Sequence, residues 1–295
     1  MNENQQNKNL NFFRAQIDEI DLKIIELLRQ RMQIVRDVAK FKQDRNEKFY
    51  IKSSREADMI KNLVNTSHGQ FPKSTIVNIW RKIITTSNMA EQPIKIAIHN
   101  PKNISDYNYI VKNYYLDEVP TINFDSVNNI VSELENNNCQ IGVFAIPNQN
   151  FEQEKKEDTK ENWWISLANN KSEIKIFAKI PFIEFDQKDK NFNPINLEAV
   201  AIKESEKSAD DGTFICIETP KEISKYSLQN ELKNYNINGK ILKSVELIQF
   251  EGIRFHLIET DNFIDENNPD LKKFATAKFK PFIKILGHFA KPIVI

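Results

Sequence analysis

Residues 10–42 read LNFFRAQIDEIDLKIIELLRQRMQIVRDVAKFK and contain neither glycine nor proline. Apolar residues recur in this stretch at alternating spacings of four and three, which is the pattern of one face of a helix. They are Phe13, Ile17, Ile20, Ile24, Leu27, Ile34, Val38 and Phe41. The stretch therefore predicts one helix of ~50 Å, which is too long for the rest of a ~90-residue domain to cover. We expect a second copy of the chain to cover it, because heptad seams associate with one another.

Two further helices are expected before the pattern changes. Ser53 and Glu56 have the spacing of a capping box, which starts the second helix, and Gly69 marks its end. The third helix is expected at 74–91. Its apolar face consists of Ile76, Ile79, Trp80, Ile83 and Ile84. Residues 1–92 are therefore predicted to form an all-α, three-helix domain.

The pattern changes after Pro93. Short apolar strands alternate with helices, which predicts an α/β domain at 93–208 with a mainly parallel sheet, interrupted by a charged stretch at 150–161. The expected elements are strand 95–98, helix 105–115, strand 121–124, helix 127–134 and strands 140–146, 174–180 and 199–202. The last segment, 209–295, has the element order of a βαββαβ ferredoxin-like domain. Its elements are strand 214–218, helix 227–235, strands 241–247 and 254–259, helix 268–276 and strand 282–288.

Composition excludes several classes of protein. The chain has 41 basic and 41 acidic residues, so no net charge recruits nucleic acid or an anionic membrane. Residues 1–9 are polar and lack the apolar core of a signal peptide, and no later stretch reaches about eighteen apolar residues, so neither secretion nor membrane spanning is expected. Cys139 and Cys216 make no disulfide framework, which indicates a reducing compartment, the cytoplasm. Both are expected to be buried, as are Trp163 and Trp164. With four histidines and six glycines, the sequence predicts no metal site, no phosphate loop and no cofactor.

Arg31 stands where the spacing of the first helix requires an apolar residue. A buried cation must be neutralised, either by a carboxylate that fixes the register of the seam or by an anionic ligand. Lys42 lies within ~20° of Arg31 around the helix and ~16 Å along it, so both can face one cavity. Arg14 is ~25 Å from Arg31 along the axis, but a two-fold dimer could bring it to the partner's site.

Further polar residues stand at the ends of the other two helices. Arg55 and Glu56 start the second helix, and Ser87, Glu91 and Gln92 end the third. They are candidates for the same ligand site. Simpler explanations stay open, since Glu56 can serve the capping box and Ser87 and Gln92 can lie in an exposed last turn.

Together these residues resemble the all-helical class of chorismate mutase over residues 10–92. The matching motifs are Phe13-Arg14-Ala15-Gln16-Ile17-Asp18-Glu19-Ile20-Asp21, Leu27-Leu28-x-x-Arg31, Val38-Ala39-x-x-Lys42, Arg55-Glu56 and Ile83-Ile84-x-x-Ser87. The resemblance implies an intertwined homodimer with two sites, each built from both chains. In each site chorismate rearranges to prephenate, in phenylalanine and tyrosine biosynthesis, without a cofactor.

The resemblance also implies which residues bind the substrate. Arg14 reaches into the partner's site to hold one substrate carboxylate, and Arg31 binds another. Lys42 donates to the ether oxygen and to a carboxylate. Arg55 and Ser87 support the carboxylate end.

Three further positions concern the ring hydroxyl and the ether oxygen. Glu56 is implied to accept from the hydroxyl, although Lys52 stands where many family members have Asp. Glu91 stands where many members have a Gln that donates to the ether oxygen, and Gln92 follows it. A carboxylate cannot donate but a carboxylic acid can, so we expect protonated Glu91 in this role, with activity falling as pH rises. Gln92 is the alternative donor.

The C-terminal segments bear a fainter likeness to known domains. Residues 140–148 are similar to a strand of prephenate dehydratase, and 209–295 have the element order of an ACT regulatory domain. The dehydratase's Thr-Arg-Phe signature has no copy, since Gly212-Thr213-Phe214 lacks the arginine. We expect a degenerate, inactive dehydratase-like domain at 93–208 and a possible aromatic amino acid effector. The alternatives are a bifunctional mutase and dehydratase, or a non-catalytic helical dimer with an amino-acid-binding C-terminal region.

Overall fold

The computed structural model describes residues 3–45, 47, 49–67, 69, 71–147, 162–171, 173–184, 197–203 and 206–294. Three helices come first, as predicted. They are α1 (Glu3–Asp44), α2 (Ser53–Thr66) and α3 (Lys73–Glu91). With 42 residues, α1 begins earlier than expected and extends ~63 Å. The charged stretch at 150–161 lies outside the described residues.

Backbone contacts divide the chain into two compact units. They are Met1–Tyr50 with Thr86–Pro93, and Ile51–Thr85 with Ile94–Ile295. The end of α3 therefore belongs with α1, whereas α2 and the start of α3 belong with the strands. The predicted domains, 1–92, 93–208 and 209–295, stay predictions.

The apolar seam of α1 is exposed to solvent in the single chain. Its eight residues, named above, are between 38% and 65% exposed. Arg31, in the middle of the seam, is half-buried. Since exposed apolar side chains at heptad spacing favour association, this face is suited to another helix of the same kind.

The second unit continues with strands and short helices. In chain order they are β1 (Ile96–His99), α4 (Ser105–Tyr114), β2 (Thr121–Phe124), α5 (Val127–Glu135), β3 (Ile141–Ala145), α6 (Trp163–Asn169), β4 (Ile174–Ile180), β5 (Ile183–Glu184), β6 (Leu197–Ile202), β7 (Asp211–Pro220), α7 (Lys225–Asn234), β8 (Gly239–Glu246), β9 (Ile253–Thr260), α8 (Pro269–Phe274), β10 (Phe282–Ala290) and β11 (Ile293–Val294). Every element predicted after Pro93 is present, with ends that differ by a few residues. The sequence pattern did not predict α6 or the two-residue strands β5 and β11.

Nine of these strands form one sheet, in the order β2-β1-β3-β6-β4-β10-β7-β9-β8. Three pairings between described strands are parallel, namely β1 with β2, β1 with β3, and β4 with β10. The other five are antiparallel. Among the strands at 93–208, two of these pairings are parallel and two are antiparallel, so the prediction of a mainly parallel sheet there is wrong. The reason is that β6 runs antiparallel between β3 and β4, and a buried apolar run does not reveal strand direction.

β4 and β10 meet at Gly287, whose partner in register is Ile176. The φ angle of Gly287 is +147°, and a Cβ at this position would lie 2.2 Å from the carbonyl oxygen of Ile176. Only glycine tolerates both the angle and the close approach. Gly287 therefore allows the first five strands of the sheet to join the last four.

The core beneath the sheet contains the residues expected there. Trp163 and Trp164 are 2% and 0% exposed, and Nε1 of Trp163 donates to the carbonyl oxygen of Ala145 at 2.7 Å. Cys139 and Cys216 are also buried. Burial raises the pKa of both thiols, which makes them poor nucleophiles.

Candidate functional site

Arg31 and Ser87 join the middle of α1 to the last turns of α3. Nη1 of Arg31 donates to Oγ of Ser87. Ser87 is only 3% exposed, so it does not lie in an exposed last turn. Of the two explanations left open for Ser87, burial beside Arg31 favours a place in the site.

Lys42, in the last turn of α1, has two partners in the same unit. Its Nζ donates to Oε2 of Glu91, and to the carbonyl oxygen of Tyr50 at 2.9 Å. The side chains of Lys42 and Glu91 are 13% and 9% exposed, so this ion pair is largely desolvated. Because an ammonium group can only donate, the pair favours the ionised carboxylate of Glu91. An ionised Glu91 cannot donate to an ether oxygen.

Gln92 follows Glu91 at the end of α3. Its side-chain Nε2 is buried and has no hydrogen-bond partner among the described residues. A buried donor without an acceptor is costly, so an acceptor that arrived with a ligand would relieve that cost. Sequence analysis left the choice between Glu91 and Gln92 open, and the burial of this amide favours Gln92.

The two cations of α1 both bond to side chains near the end of α3. Arg31 and Lys42 are ~16 Å apart along α1, whereas their partners Ser87 and Glu91 are ~6 Å apart along α3. The first unit therefore bonds two cations to Ser87 and Glu91, and the buried amide of Gln92 directly follows Glu91 in the chain.

Two predicted binding residues are exposed in the single chain. Arg14 is exposed on α1 and Arg55 is exposed on α2. The role expected for Arg14 depends on a second chain, which would receive its side chain. Both roles stay predictions.

In the second unit, Glu56 is bound by a residue that the sequence analysis missed. Oε2 of Glu56 accepts from Nη2 of Arg81 at 2.7 Å, and Nη1 of Arg81 donates to Oη of Tyr114 at 3.3 Å. The predicted capping box is wrong, because the N-cap of α2 is Lys52, which makes no side-chain cap, and Ser53 is already helical. The carboxylate of Glu56 serves an ion pair with α3 instead.

Burial and charge together set the protonation of this cluster. Burial would lower the pKa of Arg81, but Tyr114 and Glu56 raise it above its ordinary value. Burial raises the pKa of Tyr114 and of Tyr115. Arg81 is therefore charged and both tyrosines are neutral throughout the physiological range.

A signal for Arg81 was present in the sequence. The buried residues of α3 include Val77, Arg81, Ile84 and Asn88, which follow the spacing of one helix face. The apolar face predicted for the third helix included Ile79, which is 44% exposed. The predicted face was therefore rotated around the helix axis relative to the face that is buried. A charged residue that continues a buried stripe indicates a buried ion pair, as Arg31 did in α1.

Two negative findings apply to the part of the chain that the structure describes. There, no group of three or more histidine, cysteine or acidic side chains is arranged to hold a metal ion. Every helix there is too short or too polar to cross a bilayer.

Residues 13–92 match the family model described as chorismate mutase type II. The match takes in α2, α3 and all eight seam residues of α1, together with Arg31, Lys42 and Gln92. These residues form a chorismate mutase type II domain. The mutase domain thus contains both polar contacts between α1 and α3.

Curated relatives include bifunctional enzymes. A bifunctional chorismate mutase/prephenate dehydratase of Pseudomonas aeruginosa is 27% identical over 97 residues, which are 32% of this chain and 27% of that protein. A protein of the same description from Aquifex aeolicus is 29% identical over 93 residues, which are 30% of this chain and 25% of that protein. The chain therefore covers about a quarter of the length of these relatives.

Solved prephenate dehydratases are similar over a larger share of the chain. The enzyme from Streptococcus mutans has 17% identity and a TM-score of 0.44, and covers 68% of this chain and 100% of its own. The enzyme from Arthrobacter aurescens in complex with L-Phe has 11% identity and a TM-score of 0.46, and covers 67% and 90%. These values establish neither a shared fold nor an activity.

Proposed function

We propose that this protein is a chorismate mutase, which rearranges chorismate to prephenate in phenylalanine and tyrosine biosynthesis. The observation that carries the proposal is that Arg31 and Lys42 bond to Ser87 and Glu91 at the end of α3, where the buried amide of Gln92 follows, within residues that match chorismate mutase type II. The reaction is a Claisen rearrangement, in which an ether C–O bond breaks while a C–C bond forms in the same molecule. It needs no nucleophile, so a site that holds the substrate in a chair-like pose provides much of the acceleration.

The charges of the site suit a substrate with two carboxylates. Arg31 and Lys42 are cationic, and Glu91 offsets one of these charges. We assign one substrate carboxylate to Arg31, with Ser87 as support. Arg14 of a second chain supplies the remaining positive charge and binds the other carboxylate. Opposite charges in a desolvated site attract more strongly than in water.

Lys42 and Gln92 are the proposed donors to the ether oxygen. Negative charge develops on this oxygen as the bond breaks, and donors fixed in advance stabilise it. Glu91 has a different task in this proposal, because its carboxylate accepts from Lys42 and holds the ammonium group in place.

Glu56 and Arg55 keep the roles that the resemblance implies. Glu56 accepts from the ring hydroxyl, and Arg55 supports the carboxylate end.

We further propose that a second copy of the chain covers the seam of α1. The eight seam residues are at least 38% exposed and repeat at heptad spacing along one face. Burial of such a face removes apolar area from water, and a two-fold arrangement pairs each seam with its own copy. The homodimer would also deliver Arg14 to the partner's site.

An assay on the full-length protein tests the mutase proposal. The protein should consume chorismate, followed as the loss of its ultraviolet absorbance. Arg31→Met and Lys42→Met should each lower kcat/KM by about 100-fold or more while circular dichroism stays unchanged. Arg29→Met is the matched control, since Arg29 is 73% exposed and pairs with Glu26 on the same helix. No consumption by the wild type would contradict the proposal and favour the non-catalytic dimer.

The curated relatives favour a second candidate, because both are described as chorismate mutase/prephenate dehydratase. A bifunctional enzyme would also convert prephenate to phenylpyruvate. Phenylpyruvate formation at neutral pH, where the spontaneous acid-catalysed loss is slow, separates this candidate from a mutase alone. The same assay with added phenylalanine tests whether the ACT-like segment proposed at 209–295 senses an aromatic amino acid.

A further inference from the structure

We infer that Tyr50 is a positioning residue of the mutase reaction, which acts through Lys42. The inference rests on the proposed function, in which Lys42 donates to the ether oxygen of the substrate. Tyr50 stands between the motifs Val38-Ala39-x-x-Lys42 and Arg55-Glu56 and belongs to neither. Lys42, Tyr50 and Glu91 all belong to the first unit, so the contacts that matter lie within one compact body.

The chain turns back on Lys42 directly after α1. The backbone N–H groups of Arg45 and Glu47 both donate to the carbonyl oxygen of Lys42, each at 3.2 Å. The carbonyl oxygen of Tyr50 then accepts from Nζ of Lys42 at 2.9 Å. The same connection therefore holds Lys42 at its backbone carbonyl and at its ammonium group. A flexible lysine stem that is fixed at both ends keeps little of its rotational freedom.

The ring of Tyr50 contacts the same ammonium group. Nζ of Lys42 lies 5.4 Å from the centre of the ring. The face of an aromatic ring attracts a cation, and the attraction is stronger where water is excluded. The side chain of Lys42 is only 13% exposed, and Tyr50 is half-buried. The ring therefore covers one side of the ammonium group and holds the carbonyl oxygen of its own residue beside it.

The hydrogen bonds of Lys42 leave one N–H for the substrate. An ammonium group has three hydrogens to donate. One bonds the carbonyl oxygen of Tyr50 and another bonds Oε2 of Glu91, and no third acceptor contacts Nζ among the described residues. Because the ammonium group is tetrahedral, two bound hydrogens fix the direction of the third. Tyr50 and Glu91 together therefore aim the N–H that we assign to the ether oxygen.

The two partners of Lys42 differ in charge. The carboxylate of Glu91 offsets the positive charge of Lys42, whereas the carbonyl oxygen of Tyr50 is neutral and orients the ammonium group without offsetting its charge. A donor that is oriented in advance needs no reorganisation when charge develops on the ether oxygen. Since that charge develops only in the transition state, the loss of Tyr50 should affect kcat more than KM.

Two variants of the full-length protein test this role. Tyr50→Ala removes the ring and loosens the connection, so kcat should fall by about tenfold while KM changes by about twofold at most. Tyr50→Phe keeps the ring and the carbonyl oxygen, so it should retain the wild-type kcat. Tyr226→Ala is the matched control, since Tyr226 is 77% exposed, and it should leave both constants unchanged.

A double variant shows whether Tyr50 acts through Lys42. Lys42→Met already removes the ammonium group, so adding Tyr50→Ala should cause no further loss of kcat. If the two losses multiply instead, Tyr50 acts independently of Lys42 and the inference is wrong. If Lys42→Met has no measurable rate, the comparison of Tyr50→Ala with Tyr50→Phe decides.

Three results with Tyr50→Ala would overturn the inference. They are a wild-type kcat, a rise in KM at unchanged kcat, and a loss of kcat that Tyr50→Phe shares in full. If circular dichroism shows that Tyr50→Ala does not fold, Tyr50→Leu takes its place, because it keeps apolar bulk without an aromatic face. A wild-type kcat for Tyr50→Leu would then refute the role. An inactive wild type would instead remove the proposed function itself.

Discussion

The ammonium group of Lys42 donates to the carboxylate of Glu91, and this pair ties the last turn of α1 to the last turn of α3. Only 13% and 9% of the two side chains are exposed, so water screens the pair weakly. The same two helices meet again where Arg31 donates to Ser87. Stability and the proposed substrate binding therefore depend on the same contacts.

Glu91→Ala should destabilise the protein, because it leaves Lys42 buried without its counter-ion. Breaking a buried pair from one side costs about 3 kcal/mol. The measurement is the free energy of unfolding in urea at pH 7. Glu19→Ala is the control. The side chains of Glu19 and its partner Lys23 are 68% and 67% exposed, so no measurable change in the free energy of unfolding is expected. Equal effects of the two variants would contradict the prediction.

Gln92→Leu should lower kcat by about 100-fold and change KM little, because the donor acts on charge that develops in the transition state. Gln30→Leu, at an exposed glutamine that bonds Glu26, should leave both constants unchanged. The alternative donor is protonated Glu91. A wild-type rate that declines from pH 7 to 9, together with loss of that decline in Glu91→Gln, would restore Glu91 to the role.

His256 should make the fold sensitive to acid. Burial lowers the pKa of His256 to about 3, and its ring bonds Ser244 at 2.8 Å and Thr219 at 3.1 Å. The unfolded chain binds a proton near pH 6.5. The contribution of the neutral His256 ring to the free energy of unfolding is therefore fully present above pH 6.5, and it decreases as the pH falls toward 3. About 2 kcal/mol should be lost between pH 7 and 5. Urea unfolding of His256→Gln should show a flatter pH dependence, whereas an identical slope would refute this.

Gly287→Ala should weaken the join between β4 and β10. The new Cβ would lie 2.2 Å from the carbonyl oxygen of Ile176 at a φ of +147°, so the strands must separate at a cost of roughly 2–4 kcal/mol. Gly252→Ala is the control. Its φ is +81° and nothing lies within 4 Å of the added carbon, so about 1 kcal/mol is expected. Chemical denaturation of both variants measures the difference, and a larger loss for Gly252→Ala would count against the close approach.

Ile20→Asp should convert the proposed homodimer to monomers, since it places a charge in the seam, where Ile20 is 54% exposed in the single chain. Analytical ultracentrifugation measures the mass of the particle in solution. Lys40→Ala, at an exposed position of the same helix, should leave the mass unchanged. A wild type that sediments as a monomer at all concentrations would refute the dimer.

Periodicity predicted the elements better than their arrangement. The seam of α1 and the apolar runs of β1 and β10 were readable because helices repeat every 3.6 residues and strands every two. The direction of β6 and the joining of all nine strands into one sheet could not be predicted from the sequence. They depend on pairings between distant strands, such as Gly287 with Ile176, and local sequence carries no record of them.

The candidate site was predictable to a similar extent. An arginine in an apolar seam identified Arg31, and the resemblance added the residues that contact α1 from α3. The contacts of Glu56 were not anticipated. Its partner Arg81 is 25 residues away in the sequence, and Arg81 is in turn 33 residues from Tyr114. Only the folded structure brings such residues together.

β10 is the last of the nine strands in the chain, yet it lies between β4 and β7 near the middle of the sheet. During synthesis, the two parts of the sheet cannot join until residue 290 has left the ribosome. Until then, the edges of β4 and β7 offer unpaired backbone groups. A nascent chain that stalls before this point should depend on chaperones, because exposed strand edges misassemble.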